Sequence, residues 1–102
     1  MSSMDISELS PRAEEAAQLL GAMANAKRLM ILCNLLERER SVGELSELID
    51  LEQSPLSQHL SKLRALGLVK TRREGQSILY RLASDEVTKV LTTLYAIYCA
   101  PQ

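Results

Sequence analysis

Tryptophan and phenylalanine are absent from this 102-residue chain, and three tyrosines are its only aromatic residues. Binding single-stranded nucleic acid needs ring faces on which bases stack, so the composition excludes such a platform. Histidine occurs once. That leaves no Ser-His-Asp or Cys-His arrangement for nucleophilic catalysis, and the four glycines form no phosphate-binding loop. A non-enzymatic protein is expected. Long apolar runs are missing too: a run such as Leu29 to Cys33 is far too short to cross a bilayer. The opening MSSMDISELSPRAEE has neither the basic start nor the apolar stretch of an export signal. Cysteine is limited to Cys33 and Cys99, and without a secretion signal these read as reduced thiols rather than a disulfide framework. The expectation is a cytoplasmic single domain over residues 1–102, large enough for one core, with residues 1–9 as a flexible N-terminal arm.

Net charge is nearly absent, at -1, but it is unevenly spread. Residues 1–52 carry ten acids against five bases. Residues 53–81 reverse this, with Lys62, Arg64, Lys70, Arg72, Arg73 and Arg81 against Glu74 alone. The local sum is a better guide to partners than the total, and it points to nucleic acid.

Apolar residues at three- and four-residue spacing predict a first helix through Ala13, Ala16, Ala17 and Leu20, with Ser10 as N-cap and Pro11 at its first position. A second follows Asn25, with Leu29, Leu32, Cys33 and Leu36 on one stripe. SVGELSELID predicts a short third helix that buries Leu45, Leu48 and Ile49. Ser54 caps a fourth, in which Pro55 is tolerated in the first turn and Leu56, Leu60 and Leu63 face inward. Gly67 stops that helix in left-handed backbone, and Leu68 folds back onto the core. LVKTRR and SILYRL alternate every two residues around Glu74-Gly75-Gln76, the pattern of a β-hairpin. A last helix begins after Ser84 and carries Val87, Val90, Leu91, Leu94 and Tyr98 on one side. The expected fold class is mainly α with a small β-hairpin, in the order α-α-α-α-β-β-α.

In that order the third and fourth helices, joined by LEQ, make a helix-turn-helix, and the basic hairpin makes a wing. Ser54, Ser57, Gln58 and Ser61 project away from the leucine stripe, with Lys62 and Arg64 at its margins. Short hydroxyl and amide side chains let a helix enter the major groove and hydrogen-bond to base edges or phosphates. Arg72 and Arg73, flanking the wing turn, are expected to reach the sugar-phosphate backbone or the minor groove. The expected partner is double-stranded DNA.

NAKRLMILCNLL, SVGELSELIDLEQSPLSQHLSKLRALGLVKTRREGQSILYRL and the tyrosine-rich last helix together resemble the ArsR family of winged-helix repressors, over roughly residues 11–99. SQHLSKLRALGLV carries most of the likeness. The resemblance implies a homodimer paired mainly through the first and last helices, here through Ala13, Ala17 and Leu20 and through Val87, Leu91 and Leu94. It implies a repressor that leaves its operator, an imperfect palindrome, when an inducer binds. It also places Ser54, Ser57, Gln58 and His59 on the recognition helix, and Arg72, Arg73 and Gln76 on the wing. His59 lies on the flank of the leucine stripe and is open between packing or hydrogen bonding and base reading.

Metal-sensing members of that family carry paired cysteines in the third helix, or Asp and His pairs in the last. VGELSEL has no cysteine and SDEVTKVLTTLYAIYCA has no histidine. Zinc takes about four ligands, which two isolated thiols do not supply within one chain. No metal or other cofactor is expected. The cysteines themselves read either as small buried hydrophobes or as a sensing pair. Ile31-Leu32-Cys33 and Tyr98-Cys99 resemble the BigR, SqrR and HlyU branch of the family. That likeness implies a redox switch in which the two thiols are oxidised, or bridged by a persulfide, polysulfide or other thiol oxidant. Two alternatives stay open: a metal-responsive repressor of the same family, and a thiol-based redox enzyme.

Overall fold

A computed structural model describes residues 4–99. Asp5 starts the first helical turn. Its carboxylate accepts hydrogen bonds from the Ser7 backbone N–H (3.0 Å) and hydroxyl (2.6 Å), capping α1 (Ile6–Leu9). Part of the stretch expected as an arm is therefore helical, and residues 1–3 lie outside the described residues. Ser10 is not an N-cap; it opens a 3-10 turn, Ser10–Arg12. Pro11 has no N–H to donate and its ring crowds the carbonyl one turn back, so the α-helical ladder breaks there before α2 (Ala13–Met23) resumes it.

Asn25 caps α3 (Ala26–Glu37) as expected, its side-chain oxygen accepting from the Arg28 N–H at 3.0 Å. A strand absent from the sequence reading follows, β1 (Arg40–Ser41), too short for alternation to reveal. Ser41 also caps α4 (Val42–Ile49), in a reciprocal pair of hydrogen bonds with Glu44. Asp50 ends α4 in left-handed backbone. In α5 (Gln53–Ala65), the first helical bond runs from the Leu56 N–H to the Glu52 carbonyl, so the cap is Glu52 and not Ser54. Ser54 and Pro55 occupy the first turn, where helical N–H groups lack partners in any case.

Gly67 closes α5 with φ at 77°, as its sequence position predicts. Its N–H reaches the Arg64 carbonyl, and the Leu68 N–H reaches the Leu63 carbonyl, both at 3.0 Å, the Schellman arrangement. The Leu68 carbonyl in turn accepts the Ala83 N–H at 3.0 Å. Between those two residues, β2 (Val69–Glu74) and β3 (Ser77–Leu82) pair across a two-residue turn, Gly75-Gln76. β1 adds to the other edge of β3, with Arg40 opposite Tyr80, giving the antiparallel order β1-β3-β2. Ser84 caps α6 (Asp85–Tyr98) by accepting the Val87 N–H.

One core collects Ile31 and Leu32 of α3, Leu45 of α4, Leu56, Leu60 and Leu63 of α5, and Val69 and Val87, all fully enclosed. Each fully buried leucine contributes about 1.5–3 kcal/mol relative to an exposed one. Leu48, expected in this core, is 53% exposed. Val42, Leu45 and Ile49 already fill the inner face of α4, and Leu48 points about 100° away from Ile49. Leu36, near the end of α3, is exposed as well.

The last helix divides into two halves. Val87 and Leu91 are buried within the protomer, so they do not form the dimer stripe expected of them. From Thr92 the helix runs past its cover: Leu94 is half-buried, and Tyr95, Ile97 and Tyr98 are exposed. The uncovered apolar surface thus lies nearer the C-terminus than the sequence suggests. No single helix among the described residues is long and apolar enough to cross a membrane.

Candidate nucleic-acid interface and thiol pair

The turn between α4 and α5 fixes the angle at which α5 presents its outer face. Ser46 braces it twice: its hydroxyl donates to the Leu51 carbonyl at 2.5 Å, and its carbonyl accepts the Leu51 N–H at 3.2 Å. With Leu56, Leu60 and Leu63 locked in the core, helical spacing sends Ser54, Ser57, Gln58 and Ser61 outward, all exposed. Lys62 and Arg64 flank them, also exposed. None of these six side chains takes part in the hydrogen bonds or ion pairs among the described residues. Their polar groups are available to a partner.

His59 differs from its neighbours. It is half-buried, and burial, with a smaller contribution from the Arg28 guanidinium, pushes its pKa down. Arg28 is itself fastened to the end of α2 through the Ala22 carbonyl at 2.6 Å. The partial burial of His59, in contrast to the exposed side chains beside it, favours packing of its two readings.

On the wing, Gln76 lies in the exposed turn, and Arg73 stands opposite Ile78 beside it. Arg73 has no ion-pair partner among the described residues. Arg72, expected to reach for the DNA backbone, is paired at the protein surface with acidic side chains. Its Nε lies 3.0 and 2.9 Å from the two carboxylate oxygens of Glu39, and its Nη2 lies 2.7 Å from one of them. Its Nη1 lies 3.2 Å from Glu74. The sheet register explains the meeting: Arg72 faces Leu79 on β3 and Leu79 faces Ser41 on β1, so Arg72 shares a row with the strand that Glu39 leads into. Arg72 holds the Glu39 carboxyl below the usual carboxylate range, with Arg81 adding a smaller pull, and is itself pushed up in return. Glu39 was missed in the sequence because its partner is 33 residues away.

Cys33 is half-buried within α3 and Cys99 is exposed at the end of α6; both are free thiols. The two helices pack against each other. Burial raises the Cys33 pKa first, and the charges of Cys99 and of Glu37, one turn along α3, raise it further. The fold thus places two unbridged thiols on helices that pack together. The nucleophile is the thiolate, which burial disfavours at Cys33, so exposed Cys99 should react first. In a time course with iodoacetamide followed by peptide mass spectrometry, Cys99 should be alkylated well before Cys33. Equal rates would contradict the environments described. Among the described residues, no group of three or more His, Cys, Asp or Glu side chains is placed to hold a metal ion.

Ala13, Ala17 and Leu20 are exposed along α2, and Tyr95, Ile97 and Tyr98 along the end of α6.

The family model for bacterial regulatory proteins of the arsR family matches residues 25–71, from the cap of α3 into β2. The transcriptional activator HlyU of Vibrio cholerae is 50% identical over 96 residues, covering 94% of this chain and 89% of HlyU. The structure of reduced HlyU from Vibrio cholerae superposes with a TM-score of 0.85, covering 91% of this chain and 98% of that one. The transcriptional repressor BigR from Xylella fastidiosa superposes with a TM-score of 0.90 at 42% identity, covering 96% of this chain and 100% of BigR. A homodimeric winged helix-turn-helix DNA-binding domain from Mycobacterium bovis, described as a possible ArsR-family regulator, gives a TM-score of 0.74 at 28% identity, covering 95% and 89% of the two chains.

Proposed function

The chain belongs to the arsR family of bacterial regulatory proteins, DNA-binding winged-helix transcriptional regulators, and from that premise we propose a homodimeric repressor released from its operator by sulfur chemistry at Cys33 and Cys99. The observation that carries the DNA reading is the row of unpartnered polar side chains on α5, Ser54, Ser57, Gln58 and Ser61, set against a fully buried leucine stripe. Such a helix meets the major groove with short donors and acceptors, while Lys62, Arg64 and the wing's Arg73 meet phosphates. Gln76 at the wing tip lies within the same reach. A regulator of this kind works where the chromosome is, in the bacterial cytoplasm. BigR is described as a repressor and HlyU as an activator; the reading follows BigR, with its TM-score of 0.90.

Two copies of α5 in successive major grooves require an imperfectly palindromic operator with half-site centres about 10 base pairs apart. Mobility shifts on operator and random duplexes at two salt concentrations test this. Ser57→Ala or Gln58→Ala should relax sequence preference, by about 1–3 kcal/mol where the lost contact is bidentate. Arg73→Ala should weaken all duplexes and flatten the salt dependence by about 0.9 per protomer. Equal losses on operator and random DNA for all three substitutions would remove α5 as the reading helix.

The inducer proposed is a persulfide or polysulfide. The Cys99 thiolate attacks the sulfane sulfur of the donor, which leaves as a thiol, and Cys99 becomes a persulfide; Cys33 is converted likewise. The terminal sulfur on Cys33 then attacks the inner sulfur of the Cys99 persulfide and expels hydrosulfide, leaving a three-sulfur bridge between α3 and α6. The sulfane sulfur that leaves as hydrosulfide takes up the electrons, so no other oxidant is needed. The same pair could close as a disulfide if a Cys33 thiolate attacked the inner sulfur of that persulfide instead.

A further inference from the structure

Five cations in the basic segment, Lys62, Arg64, Lys70, Arg73 and Arg81, have no ion-pair partner among the described residues. Arg72 is the exception, forked onto Glu39 through hydrogen bonds of 2.7–3.0 Å and touching Glu74. A carboxylate that grips a guanidinium through both oxygens offers it the planar, anionic, two-point contact that a DNA phosphate would offer. We propose that Glu39 is an internal substitute for a phosphate, which withholds Arg72 from the duplex and so sets the strength of sequence-independent binding. The proposal rests on the DNA-binding reading above and adds to it a residue outside both the recognition helix and the wing.

Exchange of the carboxylate for a phosphate brings Arg72 no new type of contact. It would also leave the Glu39 carboxylate, with only Arg81 close by, facing the DNA backbone. The pair accordingly persists in the complex, and the wing grips DNA with one arginine fewer than its sequence suggests. Each phosphate neutralised adds about 0.9 to the slope of log affinity against log salt, so the number of engaged cations can be read directly.

Glu39→Gln removes the two-point grip and leaves Arg72 only its single, exposed contact with Glu74, which a phosphate can displace. On poly(dI-dC) duplex, which holds no operator, this variant should bind more tightly at low salt. Its slope should steepen by about 0.9 per protomer, an added loss of roughly threefold to fourfold per protomer between 50 and 200 mM salt. The double variant Glu39→Gln with Arg72→Gln removes the pair without changing net charge and should return both affinity and slope to the wild-type values. A purely structural role for the pair would lower thermal stability without moving the slope, so melting curves accompany each titration. The double variant is informative even if the single one fails to fold. An unchanged slope in Glu39→Gln overturns the proposal, as does a double variant with a flatter slope than wild type, because Arg72 would then already be on a phosphate. A wild type that binds neither this duplex nor one enriched by in vitro selection overturns the DNA reading and the proposal together.

Discussion

Treatment with a persulfide donor is expected to release the wild-type protein from its operator completely, while Cys33→Ser and Cys99→Ser remain bound. Both sulfurs are needed for a bridge, so the loss of either should abolish the response instead of halving it. The length of the bridge decides the inducer. An ordinary disulfide requires Cα atoms about 4.4–6.8 Å apart, whereas the axes of packed helices lie about 8–10 Å apart. Added sulfur atoms extend the reach, so under the proposed switch a trisulfide between α3 and α6 would close with less strain than a disulfide, and peroxide should be the weaker inducer. Bridging changes DNA occupancy only by changing the relative affinity of two states. Fluorescence anisotropy on labelled operator, with the mass of the joined Cys33 and Cys99 peptides measured in parallel, checks each link. A single-cysteine variant that releases normally ends the two-thiol switch, and so does a bridged protein that binds as tightly as the reduced one.

Ile97→Glu should have an effect of similar size by a different route. Ile97 is 59% exposed in the protomer, flanked by exposed Tyr95 and Tyr98, so a charge there costs the monomer little. In a two-fold interface the same substitution appears on both sides, and two carboxylates are forced into one apolar contact. Sedimentation should show a monomer with unchanged helical content. Operator affinity should fall by about 10³-fold or more, toward the level of sequence-independent binding. Val87 and Leu91 would be poor choices for this experiment, because both are core residues and their replacement would unfold the protomer. A monomeric Ile97→Glu that kept full operator affinity would take the dimer out of the mechanism.

Local chemistry was legible in the sequence wherever a few neighbouring residues determine the outcome. Asn25, Gly67 and Ser84 mark helix ends because each satisfies backbone groups within a turn of itself. The leucine spacing of α5 determines which face stays outside, and with it the polar row proposed to read DNA. Pro11 and Pro55 shifted two helix starts, since proline is tolerated in a first turn without fixing which of its residues comes first. What could not be read was cover. Periodicity places Val87, Leu91 and Leu94 on one stripe but says nothing about where the neighbouring helices stop, and burial changes half-way along α6. The grip of Glu39 on Arg72 depends on a strand of two residues that joins the sheet from far away in the chain.

Leu68 has a consequence for how such a protein can let go of DNA. Its N–H is bonded to the last turn of α5 and its carbonyl to Ala83, at the far end of the wing. Helix end, wing entry and wing exit are therefore stitched at a single residue, with Leu68 joining the two elements proposed to face the duplex. Under the proposed switch, a signal from α3 and α6 would therefore move the helix and the wing together. In a two-fold dimer there are two such helix-and-wing units, and an operator with fixed spacing accepts them only at one separation. Each half could then keep a sound grip while the pair no longer fits, and release by the proposed switch would be a mismatch of distance rather than a weakening of contacts.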